Sequence, residues 1–316
     1  MFVRRALFLA LSATAAATTV FAFSERSAHA YCRSTTCTGD CARDADNCKT
    51  EGLPLFWPTS CVGFSLQADG SEYFAFKYFE DVAEKSFLAW TDLDCPSGTA
   101  TLTFSRLADV SCHAAEYNDG GTNANVILFQ DTMWQYTSAD NTLAKTTVTF
   151  DADTGEILDA DIELNHAYND FTISDTNIDY DLQSVLTHEI GHFVGLDHTP
   201  DETATMFATY EPGTIEQRTL ETDDVDAICT VYPPERTTAC DPNPRGGLGD
   251  ACGGDPSPAG GGGGGGSDGD GDSSGCSIVA PNPSAGVLPL LAVLALSARR
   301  RRTHPSSRAH RAHRDS

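Results

Sequence analysis

Apolar positions along the chain change their period several times, and those changes divide it into elements. Across 74–90, apolar residues fall at Phe79, Val82, Ala83, Phe87, Leu88 and Trp90 with charges between them, the spacing of an amphipathic helix. Strand-like runs follow at 100–107, 125–130, 143–150 and 157–164. They are separated by stretches such as Asn118-Asp119-Gly120-Gly121 and Asp151-Ala152-Asp153-Thr154-Gly155, which favour turns. The last two runs read as neighbouring strands, with 143–150 either at a sheet edge or inside the sheet. A helical pattern returns over 182–196 and again over 223–231, where acidic residues suit the start of a helix. The order helix, strands, helix, helix predicts an α+β domain over 52–234, closed by Pro233-Pro234.

Composition changes the picture at both ends. Residues 1–30 carry Arg4 and Arg5, then an Ala/Leu/Val/Phe-rich run ending at Ala28-His29-Ala30, the layout of a cleaved signal peptide. A membrane-spanning first helix is the alternative. Export suits the eleven cysteines, which persist as disulfides outside a reducing cytosol. Four of them, Cys32, Cys37, Cys41 and Cys48, crowd the segment 31–51. That segment reads as a disulfide-stapled piece, with a four-cysteine zinc knot as the competitor. Beyond 234 the chain turns Pro/Gly/Asp-rich and runs into the tract Gly260 to Gly266, so 235–275 reads as a flexible linker. The last stretch, 276–316, holds Cys276, an apolar run of about fourteen residues and Arg299-Arg300-Arg301-Arg302. The run is short for a permanent membrane helix and fits a processed anchor signal.

Charge excludes one class of partner. Of the twenty Lys and Arg, seven lie between Arg299 and Arg314 and three in the first thirty residues, leaving ten against 43 acidic residues over 31–298. Such a surface repels nucleic acid.

The chemistry is concentrated in His188-Glu189-Ile190-Gly191-His192-Phe193-Val194-Gly195-Leu196-Asp197-His198. Residues four apart share a helix face, so His188 and His192 can offer imidazoles to one ion with Glu189 beside it. Continued helix would carry His198 past that ion. Gly195 stands where a residue free to adopt positive φ can end the helix and turn the chain back. Three nitrogen ligands on one zinc ion leave its fourth position to water, the arrangement of a catalytic site. Glu189 is then placed to act as general base for attack on a peptide carbonyl. The predicted partner is a polypeptide substrate, the predicted state a monomer. A non-catalytic zinc-binding surface or adhesion protein is the rival, and Glu189 argues against it because a purely structural site needs no base there.

These residues resemble the metzincin metallopeptidases, whose pattern HExxHxxGxxH is matched at every fixed position, and within them the matrixins. The resemblance covers roughly 52–234. It implies a twisted, mostly parallel sheet with an antiparallel edge strand, an active-site helix and a C-terminal helix, the last similar to the stretch from Leu220 to Ile228. It implies a methionine turn at Met206, eight residues after His198, and a substrate-pocket tyrosine at Tyr210. Relatives with a metal-binding tyrosine carry it two residues after the methionine. Here that position is Ala208, so no tyrosine ligand is expected. The propeptide sequence PRCGxPD is absent, and whether 31–51 keeps the site latent is left open. No second zinc is assigned, because only His113 and His166 remain in the region. Calcium is expected as a possible second metal at the turn from Asp151 to Glu156.

The tail resembles the tripartite sorting signals of myxobacterial surface proteins, in which Cys276 marks the cut and can take a lipid. An unprocessed C-terminal anchor is the alternative. Either way, the membrane is reached only through this signal, and the protein is expected at the cell surface, anchored to the outer membrane, or in the medium.

Overall fold

The computed structural model of the protein describes residues 31–249. The predicted signal segment 1–30 and the tail with Cys276 lie outside the described residues. In chain order the elements are β1 (Cys32–Arg33), β2 (Cys61–Leu66), α1 (Phe76–Ala89), β3 (Asp94–Cys95), β4 (Gly98–Thr99), β5 (Thr103–Arg106), β6 (Val126–Phe129), β7 (Ala144–Phe150), β8 (Ile157–Leu164), β9 (Phe171–Thr172), β10 (Tyr180–Asp181), α2 (Leu182–Phe193), β11 (Leu196–Asp197), a short 3-10 turn (Glu216–Arg218) and α3 (Thr222–Val231).

Five strands form the main sheet in the order β5-β2-β6-β8-β7. The first three contacts are parallel and the last is antiparallel, which puts β7 at the edge. This is the mostly parallel sheet with an antiparallel edge strand, and the α+β class, that the sequence predicted. The open question about 143–150 is decided in favour of the edge.

On one face, α1 and α2 cover the sheet. Phe79, Val82, Ala83 and Phe87 of α1 are buried against Phe64, Phe104, Phe129 and Phe193. Helix α2 is buried along almost its whole length, from Leu182 to Phe193. Trp90 is fully buried between the helices and its indole N–H donates to Thr187 O at 2.8 Å. A side chain of that size contributes about 3 kcal/mol or more through burial. The other face carries a smaller cluster of Val110, Cys112, Ala124, Val126 and Leu128.

Both ends of α2 are fixed by side chains from distant segments. At its start, Asp181 accepts from Ser184 N at 2.8 Å, while Arg218 grips the same carboxylate at 2.8 and 2.6 Å. At its end the orphan carbonyls find donors: Trp57 Nε1 donates to Phe193 O and the Tyr232 hydroxyl to Val194 O, at 2.8 and 2.9 Å.

The helix stops at Phe193, three residues before the predicted end at 196. The reason is Gly195, at φ +91°, where an added Cβ would lie 2.5 Å from Leu55 O. Only glycine fits both the left-handed backbone and that approach.

Disulfides tie the periphery to this frame. Cys32–Cys48 and Cys37–Cys41 staple the N-terminal segment, and Cys61–Cys240 and Cys95–Cys229 join the sheet side to the C-terminal side. All cysteines among the described residues are disulfide-bonded, so the disulfide alternative holds for 31–51 and the zinc knot does not.

The predicted linker needs a correction over its first part. Residues up to Gly249 lie against the domain. Ser60 N donates to Ala239 O, Asn123 N to Gly247 O, and Leu248 packs on the smaller apolar cluster. The composition of 235–249 is linker-like, but Cys240 and these backbone bonds hold it. Among the described residues no helix is long and apolar enough to cross a membrane.

Candidate metal centre

Helix geometry brings His188 and His192 to one face of α2, and the turn at Gly195 brings His198 back to them. Their Nε2 atoms are 3.2 Å (188–192), 3.1 Å (192–198) and 3.2 Å (198–188) apart. Ligands at zinc–nitrogen distance and tetrahedral angles are separated by about 3.3 Å, so the three imidazoles fit one such ion. They are the metal-capable cluster found among the described residues.

The opposite ring nitrogens are committed elsewhere. His188 Nδ1 lies 2.6 Å from Thr205 O and His192 Nδ1 lies 2.9 Å from Leu196 O. Carbonyls only accept, so each Nδ1 carries the proton and each Nε2 presents its lone pair to the shared point.

Burial makes this state persistent. It holds His188 well below the ordinary imidazole range, helped by His192 and His198, and lowers His192 as well. His198 is pushed down to about 3 by burial and by His192. Neutral imidazoles are what a cation needs and what protons compete for.

Glu189 follows His188 in α2 and is fully buried. Its Oε2 accepts from the Thr146 hydroxyl at 2.5 Å. Thr146 is itself buried and projects from edge strand β7, so one contact links the carboxylate to the strand along which an extended ligand could lie. The sequence reading missed this residue; its strand was legible, its partner 43 positions away was not.

Met206 is buried beneath α2, and its Sδ lies 2.0 Å from where a Cβ on Gly191 would stand. Gly191 therefore makes room for the methionine. The turn is held by Asp224, whose carboxylate accepts from Thr205 N at 2.8 Å, Met206 N at 3.1 Å and Glu221 N at 2.9 Å. Burial pushes Asp224 up to about 6 against those three donors. Asp224 thus serves the α3 capping box and, through Thr205 O, the orientation of His188. The acidic start of this helix was legible in sequence, but its reach to the methionine turn was not.

Tyr210 is fully buried. Its hydroxyl accepts from Asp181 N at 3.0 Å and donates to Thr214 O at 2.5 Å, which ties the start of α2 to the segment following Met206. The expected calcium turn connects β7 to β8, and Asp151 Oδ1 there accepts from Asp153 N and Thr154 N at 2.9 and 3.0 Å.

A parallel-sheet domain with a buried helix bearing HExxH and a third histidine after a glycine turn is of the metzincin class. Comparison with known proteins narrows this: residues 99–233 match the matrixin peptidase family, and the chain carries a matrixin domain. It is 44% identical over 54 residues to Metalloendoproteinase 1-MMP of Arabidopsis thaliana, covering 17% of this chain and 15% of that one. It is 42% identical over 66 residues to Metalloendoproteinase 1 of Glycine max, 21% of each chain. With Matrix metalloproteinase-18 of Xenopus laevis it shares 34% identity over 88 residues, 25% of this chain and 19% of that one. The chain thus spans about a fifth of the length of these curated relatives.

Proposed function

We propose that this protein is an exported, zinc-dependent endopeptidase, with His188, His192 and His198 as ligands of one catalytic ion and Glu189 as general base. The observation that carries the proposal is the convergence of three Nε2 atoms, two of them from the helix that also carries the buried Glu189. The metalloendoproteinase names of the relatives support it.

A zinc ion held by the three imidazoles would supply Lewis acidity, acidifying a water and polarising a carbonyl. The chain's own residues do the rest. Glu189, steadied by Thr146, takes a proton from the attacking water on a carboxylate oxygen and passes it to the departing amine nitrogen. The backbone groups on the open edge of β7 hydrogen-bond an extended peptide and align its scissile bond with the site. Met206 packs under the histidine helix. Tyr210 shapes the substrate pocket indirectly, by holding the segment that follows the methionine turn.

Export rests on the signal-like segment 1–30 together with the disulfides, and the protein acts as a monomer on polypeptides. The tail from Cys276 onward is proposed as a sorting signal that leaves the domain on the cell surface or releases it. Calcium at the turn from Asp151 to Glu156 would raise Tm on titration, and a flat titration would remove it.

The deciding experiment is cleavage of a quenched fluorescent peptide library by the purified protein. Wild type is compared with Glu189→Ala and with chelated and re-metallated samples. Cleavage that is lost in Glu189→Ala with zinc still bound, and restored to wild type by zinc, is the expected result. A folded, zinc-loaded wild type that cleaves no peptide would sink the proposal and leave a binding module.

A further inference from the structure

The N-terminal segment meets the metal centre through backbone and side chain together. Strand β1 pairs antiparallel with β11, placing Cys32 opposite Asp197 and Arg33 opposite Leu196. Ser34 N donates to Gly195 O at 3.0 Å, and the Ser34 hydroxyl donates to Leu196 O at 2.8 Å. That same Leu196 carbonyl accepts His192 Nδ1 at 2.9 Å. With a donor on each lone pair the carbonyl is fixed in direction, and so is the imidazole that depends on it.

A second contact bears on His198. Lys49 Nζ lies 3.8 Å from Asp197 Oδ2 in a mostly buried pair, and Asp197 Oδ1 accepts from His198 N at 2.8 Å. The Cys32–Cys48 bond joins strand β1 to the neighbour of Lys49, so both contacts belong to one stapled unit. On its other side the unit is anchored by Leu55 N donating to Ser34 O at 2.8 Å and Thr36 N to Leu53 O at 2.9 Å. An inhibitory segment of the thiolate kind needs a free sulfur to offer the ion, and Cys32, Cys37, Cys41 and Cys48 are all paired.

We infer that residues 31–51 are a retained clamp on the metal loop, not a removable latency segment, and that Ser34 is a positioning residue for His192. The inference rests on the zinc reading above. It predicts that the clamp sets how tightly zinc is held.

The test is zinc competition between a chromophoric chelator and the purified protein, run on wild type, Ser34→Ala and Ser34→Thr, with the Tm of each metal-free form measured alongside. Ser34→Ala should weaken zinc binding about ten-fold or more with little change in metal-free Tm, and Ser34→Thr, which keeps the hydroxyl, should recover most of the loss. If Ser34→Ala does not fold, Lys49→Met, which removes the ion pair with Asp197, should show the same direction of effect. Zinc held as tightly by the variants as by wild type overturns the clamp. A wild type that binds no zinc overturns the metal reading itself.

Discussion

Two buried polar clusters lie on opposite sides of this sheet, and they are built on different principles. On the helix side, His188, Glu189 and His192 sit in α2 among apolar residues, and the ring nitrogens that are not held by carbonyls converge on one point. On the other side, β8 presents Asp159, Asp161 and Glu163, all nearly inaccessible to solvent, while Ala160, Ile162 and Leu164 alternate into the main core. There most of the partners come from neighbouring backbone and side chains. Asp161 accepts from Val126 N at 2.8 Å and Glu116 N at 3.0 Å, and Glu163 accepts from Gln130 Nε2 at 2.8 Å and from the Tyr136 hydroxyl. Buried polar groups have to be satisfied. Asp161 and Glu163 meet that requirement with the chain's own donors, while Asp159 keeps one buried oxygen without a hydrogen-bond donor. The histidine cluster leaves three lone pairs to a ligand, and that difference separates a site from a structural network.

The sharpest way to break the comparison is at Glu189. Glu189→Gln keeps the shape and should lower kcat/KM by about 10²–10⁴-fold while zinc content, measured by metal analysis, stays at one per chain. A loss smaller than ten-fold would mean that the carboxylate is not the base.

Next in size is Gly195→Ala, which forces a Cβ into a left-handed residue and against Leu55 O. It should cost about 2–4 kcal/mol by urea unfolding and reduce zinc affinity as well. An unchanged midpoint would show that the turn can relax.

Asp224→Asn replaces an acceptor of three backbone donors and should cost about 1–3 kcal/mol, with a smaller fall in zinc affinity through Thr205 and His188. Zinc affinity untouched in a destabilised protein would confine Asp224 to capping α3.

The smallest effect belongs to the opposite face and sharpens the contrast by pH. Burial pushes Asp159 up to about 8, and burial together with Asp159's charge holds Asp161 well above the carboxylate range. The folded state therefore keeps protons that the unfolded chain releases near pH 4. Stability should decline as pH rises from about 4 through about 8. Asp159→Asn, which imitates the protonated form, should flatten part of that slope and raise Tm at pH 8. An unaltered Tm–pH curve would show that the pair is not the source.

Much of the frame was legible from pattern alone. The stripe of α1, the strands β6 to β8 and the helices α2 and α3 all appear where period and turn residues put them. Strand β2 was not legible. Its sequence, Cys61-Val62-Gly63-Phe64-Ser65-Leu66, is buried at every position, so it shows no alternation, and Gly63 and Ser65 interrupt its apolar character. Gly63 is there because Pro242 O passes 2.0 Å from where its Cβ would be, a contact made by a residue 179 positions further on. The linker-like composition of 235–249 hid its docking for a related reason, since backbone bonds and one disulfide, not apolar side chains, hold most of it.

What the sequence determined by itself is the part governed by local geometry. A four-residue spacing puts His188 and His192 on one helix face, and Gly195 permits the turn that returns His198. What only the tertiary structure decided is which groups orient those side chains. The acceptors and donors come from far along the chain: Thr205 for His188, Thr146 for Glu189, and Ser34, 162 residues from the Leu196 carbonyl that it shares with His192. Helical spacing is fixed within a few residues by backbone hydrogen bonds. The direction of a buried imidazole is fixed by whichever distant carbonyl the packed sheet and helices bring against it.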